Sequence, residues 1–516
     1  MDDRFAAAWR VAPNYLAQHV LLSVSALVLG FAISLPLAVA ASRSAAVRWP
    51  SLFGASLIQT IPSLALLALF YPLLLAVSAL GRSWFGHGFQ ALGFLPSLMA
   101  LTLYSMLPIL RNGVAGIMGV DAAAIEAARG MGMTDLQRLI RVELPLAAPV
   151  IMAGARTAAV WTIGAATLAT PVGQTSLGNY IFLGHQTENW VFVLFGCVAS
   201  AGLALCADQL LGLIESGLTR RRPWRMWAGG IGLVAGTLAA LSPLAAASVG
   251  ASYVVGSKNF SEQSILSELM ASRLEAAGAH VAQKQDLGSA TAYRALAAGE
   301  LDAYVDYSGT LWTNVLGRKD NPGREAVLRE LTATLRRRDG VLVLGPLGFE
   351  NAYALAMRPE RARALGVTSV SDLAAHASDL TLGSDLEFLS RPEWTALRGA
   401  YGLRFRKETS YQPTFMYRAL ADGEADVISA FSSDGRIAAD HLVVLDDPRH
   451  ALPPYDAVIL VSPARANDRR LLGALRPLVG AIPVTAMRAA NYSVDRDTDK
   501  LTPAQAAANL ARGARG

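Results

Sequence analysis

Hydrophobic positions are distributed unevenly along the chain. Six apolar stretches fall at about 16–41, 52–80, 91–110, 146–170, 190–215 and 227–248. Each offers the roughly 20 apolar residues that a bilayer core demands of a helix. Several carry Pro or Gly, which membrane helices tolerate better than soluble ones. Polar structure could not cover six such runs within 250 residues, so the pattern predicts a membrane-spanning α-helical bundle. From Tyr253 onward the pattern changes. Short β-like runs (YVVGS, AYVDY, AVILV) alternate with helical periodicity such as SEQSILSELMASRLEAAG. That alternation predicts an α/β domain with mainly parallel sheets. Ser261 stands where a helix N-cap is expected. The chain therefore divides into 1–250, transmembrane, and 251–516, α/β.

Two segments of the second part share one design. ALAAGELDAYVDYSGT (295–310) and ALADGEADVISAFSSD (419–434) each read as helix, tight turn, strand and polar loop. Ligands of open α/β sheets bind at the carboxyl ends of strands. Two such units predict two lobes facing one cleft, lobe one at about 253–349 and 456–516, lobe two at about 350–455.

Charge adds an orientation. Residues 1–250 contain fourteen Arg, no Lys and nine acids, whereas 251–516 balance thirty-one basic against thirty-one acidic residues. The basic excess lies in the apolar part, which argues against nucleic acid as a partner. Arg43, Arg48, Arg111, Arg129, Arg138, Arg141, Arg220, Arg221, Arg222 and Arg225 follow spans one, three and five, against Arg4, Arg10 and Arg82 on the other side. The positive-inside bias puts the ten in the cytoplasm. Six spans then leave the N-terminus and 251–516 on the outer face. The stretch LSPLAAASVGA (241–251) has the small residues of a signal-peptidase site, but it also completes the bundle, and an uncleaved tether is the simpler expectation.

Several chemistries find no support. Cys197 and Cys206 share one apolar segment, so the second part cannot be disulfide-stapled, and at its length it needs no staple. No H-E-x-x-H or C-x-x-C occurs, and neither a metal nor a cofactor is implied. Ser432, Ser433 and Asp434 have no accompanying His motif, so no catalytic residue is assigned. No G-x-x-x-x-G-K-[ST] phosphate loop is present, and the first lysine of the chain is Lys258.

The segment DAAAIEAARGMGMTDLQRLIRVELPLAAPV, in the expected cytoplasmic loop at about 111–145, reads as an amphipathic helix that Pro145 ends. It resembles the coupling motif of ABC-importer permeases: Glu126, Ala127 and Ala128, then Gly132, then Val142, Leu144 and Pro145. Val142 departs mildly from the Ile usual there. Gly132 would permit a turn that Ala would strain. The resemblance implies docking on a cytoplasmic ABC ATPase, here a separate polypeptide. One bundle of six spans is small for a two-bundle pathway, so a homodimer is expected.

The second part resembles the substrate-binding proteins of osmoprotectant uptake (glycine betaine, choline, carnitine). The marks are GSKNFSEQ, AYVDYSGT, ENAYALAMR, FLSRPEW, SAFSSDGRI and LPPYDAVIL, in that order. The membrane part resembles that family's permease, so the chain reads as a permease fused to its own receptor, an arrangement that raises effective ligand-receptor concentration at the gate to the mM range or so. The resemblance implies a two-lobed (type II) periplasmic-binding-protein fold and a small quaternary ammonium ligand. A quaternary ammonium donates no hydrogen bond and suits aromatic faces, each worth roughly 0.5–2 kcal/mol. Carried over by motif, the aromatic box is Tyr307, Tyr353, Phe431 and Tyr455, and the carboxylate partners are Lys258, Thr310 and Arg391. Gln263 is a weaker lining candidate. Phe431 replaces the Tyr common in the family. Tyr304, Phe260, Phe388 and Tyr411 rank as structural. The alternative ligand is another trimethylammonium metabolite such as ergothioneine. A receptor-gated channel or sensor is the rival from another class, and the coupling motif argues against it. The expected setting is a bacterial inner membrane with the C-terminal domain extracytoplasmic.

Overall fold

The computed structural model describes residues 3–85, 88–186, 189–246, 252–318, 320–411, 413–496 and 498–513. The expected boundary at 250/251 and the end of the small-residue run, 247–251, lie outside the described residues. Two compact units emerge, one from Met1–Gly184 and Trp190–Val249, the other chiefly from Gly250–Gly516.

Among the described residues, the first unit has six helices long and apolar enough to cross a membrane. Its elements are α1 (Asp3–Arg43), α2 (Ala45–Thr60), α3 (Ser63–Phe85), α4 (Phe94–Met118), α5 (Ala122–Gly130), α6 (Asp135–Arg138), α7 (Leu144–Ala166), α8 (Gly178–Gln186), α9 (Trp190–Thr219) and α10 (Pro223–Ala246). The apolar run 52–80 is not one helix. The chain leaves helical geometry at Ile61 (ψ 127°), because Pro62 disfavours the α region for the residue before it. The Tyr104 hydroxyl donates to the Ile61 carbonyl that this break frees. Span three is longer than its apolar run: α4 continues to Met118 and is closed by Gly119. Arg111 therefore lies on a helix rather than in a loop, and the connecting segment is shorter than 111–145. Pro145 opens α7 instead of ending the preceding helix, the place where its missing N–H costs nothing. Within the spans, Arg156 of α7 binds Asp208 of α9 through Nε and Nη2 at 2.9 and 2.8 Å, and Glu215 through Nη1 at 2.7 Å. Charges at such depth are tolerated when paired in this way.

The second unit holds two five-stranded sheets. Strands β1 (Tyr253–Lys258), β2 (Val281–Leu287), β3 (Ala303–Tyr307), β4 (Leu342–Glu350) and β10 (Asp456–Val461) form one, in the order β2-β1-β3-β10-β4. Strands β5 (Tyr353–Met357), β6 (Thr381–Ser384), β7 (Lys407–Ser410), β8 (Val427–Phe431) and β9 (Val443–Val444) form the other, in the order β7-β6-β8-β5-β9. The sheets are mixed rather than mainly parallel. β1 pairs parallel with β2 and β3, and β6 with β7 and β8. β10 runs antiparallel to β3 and β4, and β5 to β8 and β9. The antiparallel strands are those that carry the chain from one sheet to the other and back.

The repeated segments occupy equivalent places. The helix Ser289–Ala297 leads through Gly299 (φ 77°) into β3, and the helix Pro413–Ala421 leads through Gly423 (φ 79°) into β8. Each strand is the middle one of its sheet. Ser261 is not an N-cap. Phe260 holds that position without a side-chain bond, and the Ser261 hydroxyl donates to Asp495 at 2.6 Å.

Candidate functional site

Six of the seven expected ligand residues sit at a strand end or within three residues of one, and Arg391 follows the short helix Leu386–Ser390. Lys258 closes β1, Tyr307 closes β3 and Phe431 closes β8. Tyr353 opens β5 and pairs across the strands with Phe431. Tyr455 precedes β10, Thr310 lies in the turn after β3, and Arg391 precedes the helix Pro392–Tyr401. All seven line one cavity of about 370 Å³. Phe260, expected to be structural, lines it as well, as do Glu262, Asn351, Tyr417, Asn491 and Asp495. Gln263 stands behind the wall and donates to the Tyr307 hydroxyl at 3.0 Å.

The rings form two groups. Tyr353 packs on Phe431 with centroids 4.9 Å apart and meets Tyr455 edge-on at 6.0 Å. Phe260 stacks on Tyr307 at 6.0 Å. Gly309 sets the position of Tyr455, because a Cβ there would lie 2.6 Å from the ring. Cations of the protein already stand on two of these faces. Lys258 Nζ lies 4.8 Å from the Tyr307 centroid, and the Arg391 guanidinium lies 5.4 Å from that of Tyr353. Electron-rich faces stabilise positive charge at such distances.

The polar groups are largely occupied with one another. Lys258, expected to face a ligand carboxylate, is buried and pairs with Asp306 at 2.6 Å. Asp306 also accepts from the Tyr304 hydroxyl at 2.6 Å. Arg391 pairs with Glu393 at 3.2 Å and donates to the Tyr455 hydroxyl at 3.3 Å. Glu262 accepts from Tyr307 at 2.5 Å, Asn491 at 2.9 Å and Asn351 at 3.2 Å. Burial pushes the Glu262 carboxyl up, against hydrogen bonds from Ser433, Tyr307, Asn491 and Asn351. Asp495 is pushed up to about 7 by burial and by the neighbouring Asp434. Sequence alone did not bring Asn351, Tyr417 or Asn491 forward. Asn351 stands in ENAYALAMR, where Tyr353 drew the assignment, and Tyr417 and Asn491 lie on separate helices outside the quoted motifs.

In the membrane unit the coupling-motif residues form a compact sequence of turns. Asp121 caps α5 by accepting from the Ala123 N–H at 2.9 Å. Ala128 is the buried residue of α5, while Glu126 and Ala127 are exposed. Gly132 has φ 75°, a conformation that side chains rarely adopt. Thr134 and Gln137 form a capping box at α6, and a π-helical turn over Leu139–Glu143 leads to Leu144 and Pro145 at the start of α7. Met131, Leu136 and Ile140 are 70%, 64% and 56% exposed, an unusual concentration of apolar surface for a connecting segment.

The family model described as the substrate binding domain of ABC-type glycine betaine transport systems matches residues 251–512. The model of the binding-protein-dependent transport system inner membrane component matches 30–220. The chain belongs to the first family, and it is a fusion of such a binding domain with an importer permease domain. It is thus a multi-pass membrane protein and a transport subunit. Among relatives, the ergothioneine transport permease/ergothioneine binding protein EgtU of Helicobacter pylori is 29% identical over 421 residues, 78% of this chain and 72% of that protein. The choline transport system permease protein OpuBB of Bacillus subtilis is 40% identical over 202 residues, 39% of this chain and 86% of that one. Among solved structures, a glycine betaine/carnitine/choline ABC transporter protein is 28% identical, with a TM-score of 0.46, over 50% of this chain and 97% of its own.

Proposed function

We propose that the chain captures a quaternary ammonium compatible solute (glycine betaine, choline or carnitine) and carries it across the membrane as part of an ATP-driven importer. The observation that supports this most directly is the convergence of Tyr353, Phe431, Tyr455, Tyr307 and Phe260 on one cavity. Such walls attract a methylated cation that sheds water cheaply, each face contributing roughly 0.5–2 kcal/mol. Lys258, Thr310 and Arg391 belong to the same proposed site. Asp306 holds Lys258 at 2.6 Å, whereas Glu393 holds Arg391 at a longer 3.2 Å, so we assign Lys258 the support of Tyr307 and Arg391, with its several N–H donors, the grip on a ligand carboxylate. Guanidinium can hold a carboxylate bidentately.

We infer further that Glu126, Ala127, Ala128, Gly132, Leu144 and Pro145 form the dock for a separate ABC ATPase, with Met131, Leu136 and Ile140 as its apolar face. On this reading the docking segment is cytoplasmic, the binding domain extracytoplasmic, and two copies of the chain pair to complete the pathway. The chain itself carries out no hydrolysis. Ergothioneine is the second reading, favoured by the Helicobacter pylori relative, which aligns over 78% of this chain. The experiment is uptake by proteoliposomes holding the full chain and its ATPase, with radiolabelled glycine betaine, choline, carnitine and ergothioneine. ATP-dependent accumulation of at least one is expected. Accumulation of none would overturn the reading, and accumulation of ergothioneine alone would select the second.

A further inference from the structure

Glu143 occupies the unspecified position of the coupling motif, between Val142 and Leu144. Its side chain is only 1% exposed. It ends the π-helical turn that joins α6 to α7, and turns of this kind concentrate at functional sites. Its two oxygens serve two different elements. Oε1 accepts from Arg138 Nε at 2.8 Å, and Oε2 accepts from Arg43, the last residue of α1. Arg138 in turn reaches Asp135 Oδ1 at 2.8 Å, at the start of α6. One buried carboxylate therefore ties the docking segment to the end of the first span. Apolar packing continues the connection. Phe31, Leu35 and Val39 of α1 lie against a core of Ile117, Ala147 and Ile151. Removing one partner of a buried ion pair leaves an uncompensated charge, which makes such a tie stiff and hard to replace.

We propose that Glu143 is a positioning residue that makes the docking segment and α1 move together, so that a push on α5 and α6 reaches the first span as well as α7. The α7 route is covalent and needs no help. The α1 route runs through Arg43 and Glu143. This inference rests on the reading of the segment as an ATPase dock.

The test uses the full chain with its ATPase in proteoliposomes and measures uptake of choline, glycine betaine and ergothioneine together with ATP hydrolysis. Glu143→Gln should lower uptake about tenfold while ligand binding and basal hydrolysis stay within about twofold, so that ATP consumed per solute rises. Should Glu143→Gln not accumulate in the membrane, Arg43→Gln carries the test. Arg43 is 42% exposed, and its loss leaves the Arg138–Glu143 pair intact. The same rise in ATP per solute is expected. A wild-type ratio in the accumulating variant, whether uptake is normal or merely reduced, would overturn the proposal. Absence of ATP-driven uptake by the wild type would instead count against the transport reading itself.

Discussion

The ring of Tyr455 lies directly on Gly309, so close that a Cβ at 309 would stand 2.6 Å from its Cε1 and Cζ atoms. The two residues belong to segments about 146 positions apart, the turn after β3 and the loop before β10, which Ser308 joins by donating to the Pro454 carbonyl at 2.9 Å. Gly309→Ala should push the ring out of its edge-on contact with Tyr353. Ligand affinity should fall about tenfold, or ~1.4 kcal/mol. Calorimetric titration of the variant checks this, and an unchanged affinity would show that the position of Tyr455 does not matter to the ligand.

Tyr307 and Tyr353 contribute faces to different ring groups. Tyr307→Ala and Tyr353→Ala should each weaken binding at least about tenfold. The first also strips a hydrogen bond from the buried Glu262 and a ring from Lys258, so it should lower the melting temperature more than the second. Binding and thermal unfolding measured on the same preparations separate the two effects.

Gly132 adopts φ 75° with open space around it. Gly132→Asp adds backbone strain and a charge beside the exposed Met131, without touching the binding domain. Ligand capture should remain normal while uptake is abolished. Normal uptake would discard the docking assignment.

Asp495 lends the binding domain a pH dependence of defined sign. Its folded carboxyl titrates near 7, against an ordinary value of 3.8, so the folded state keeps a proton that the unfolded chain has lost. The stability this group contributes is full below about 4, falls as pH rises toward about 7, and changes no further above that. Asp495→Asn should flatten this part of the profile. Melting temperatures of wild type and variant between pH 4.5 and 8 give the difference, and parallel profiles would contradict the assignment.

The gathering of the candidate site's residues around one cavity was largely legible because most of them stand in short motifs near strand ends, where period-two patterning and turn signals coincide. The equivalence of β3 and β8 could be read from A-L-A-x-G-E-x-D for the same reason. Partnerships across the fold were not legible. Nothing local to Lys258 says that β1 will lie beside β3 and present Asp306 to it, and nothing local to Glu262 announces Asn351 and Asn491. The same holds for Arg156, which stands 52 and 59 residues before Asp208 and Glu215 and meets them only when α7 packs on α9. The break at Ile61 was present in the sequence as Pro62, but a continuous apolar run outweighed it. The antiparallel strands escaped because a chain crossing between lobes leaves no mark in hydrophobic period.

The central claim is that the cleft selects its ligand by positive charge held against aromatic faces. Calorimetric titration of the full chain with choline and with 3,3-dimethyl-1-butanol, its neutral carbon counterpart of nearly the same shape, tests this directly. Cation recognition predicts that choline binds at least about tenfold more tightly, ~1.4 kcal/mol, with the same comparison holding for glycine betaine and 3,3-dimethylbutanoate, its carbon counterpart with an uncharged head. Equal affinity for the two members of each pair would contradict it.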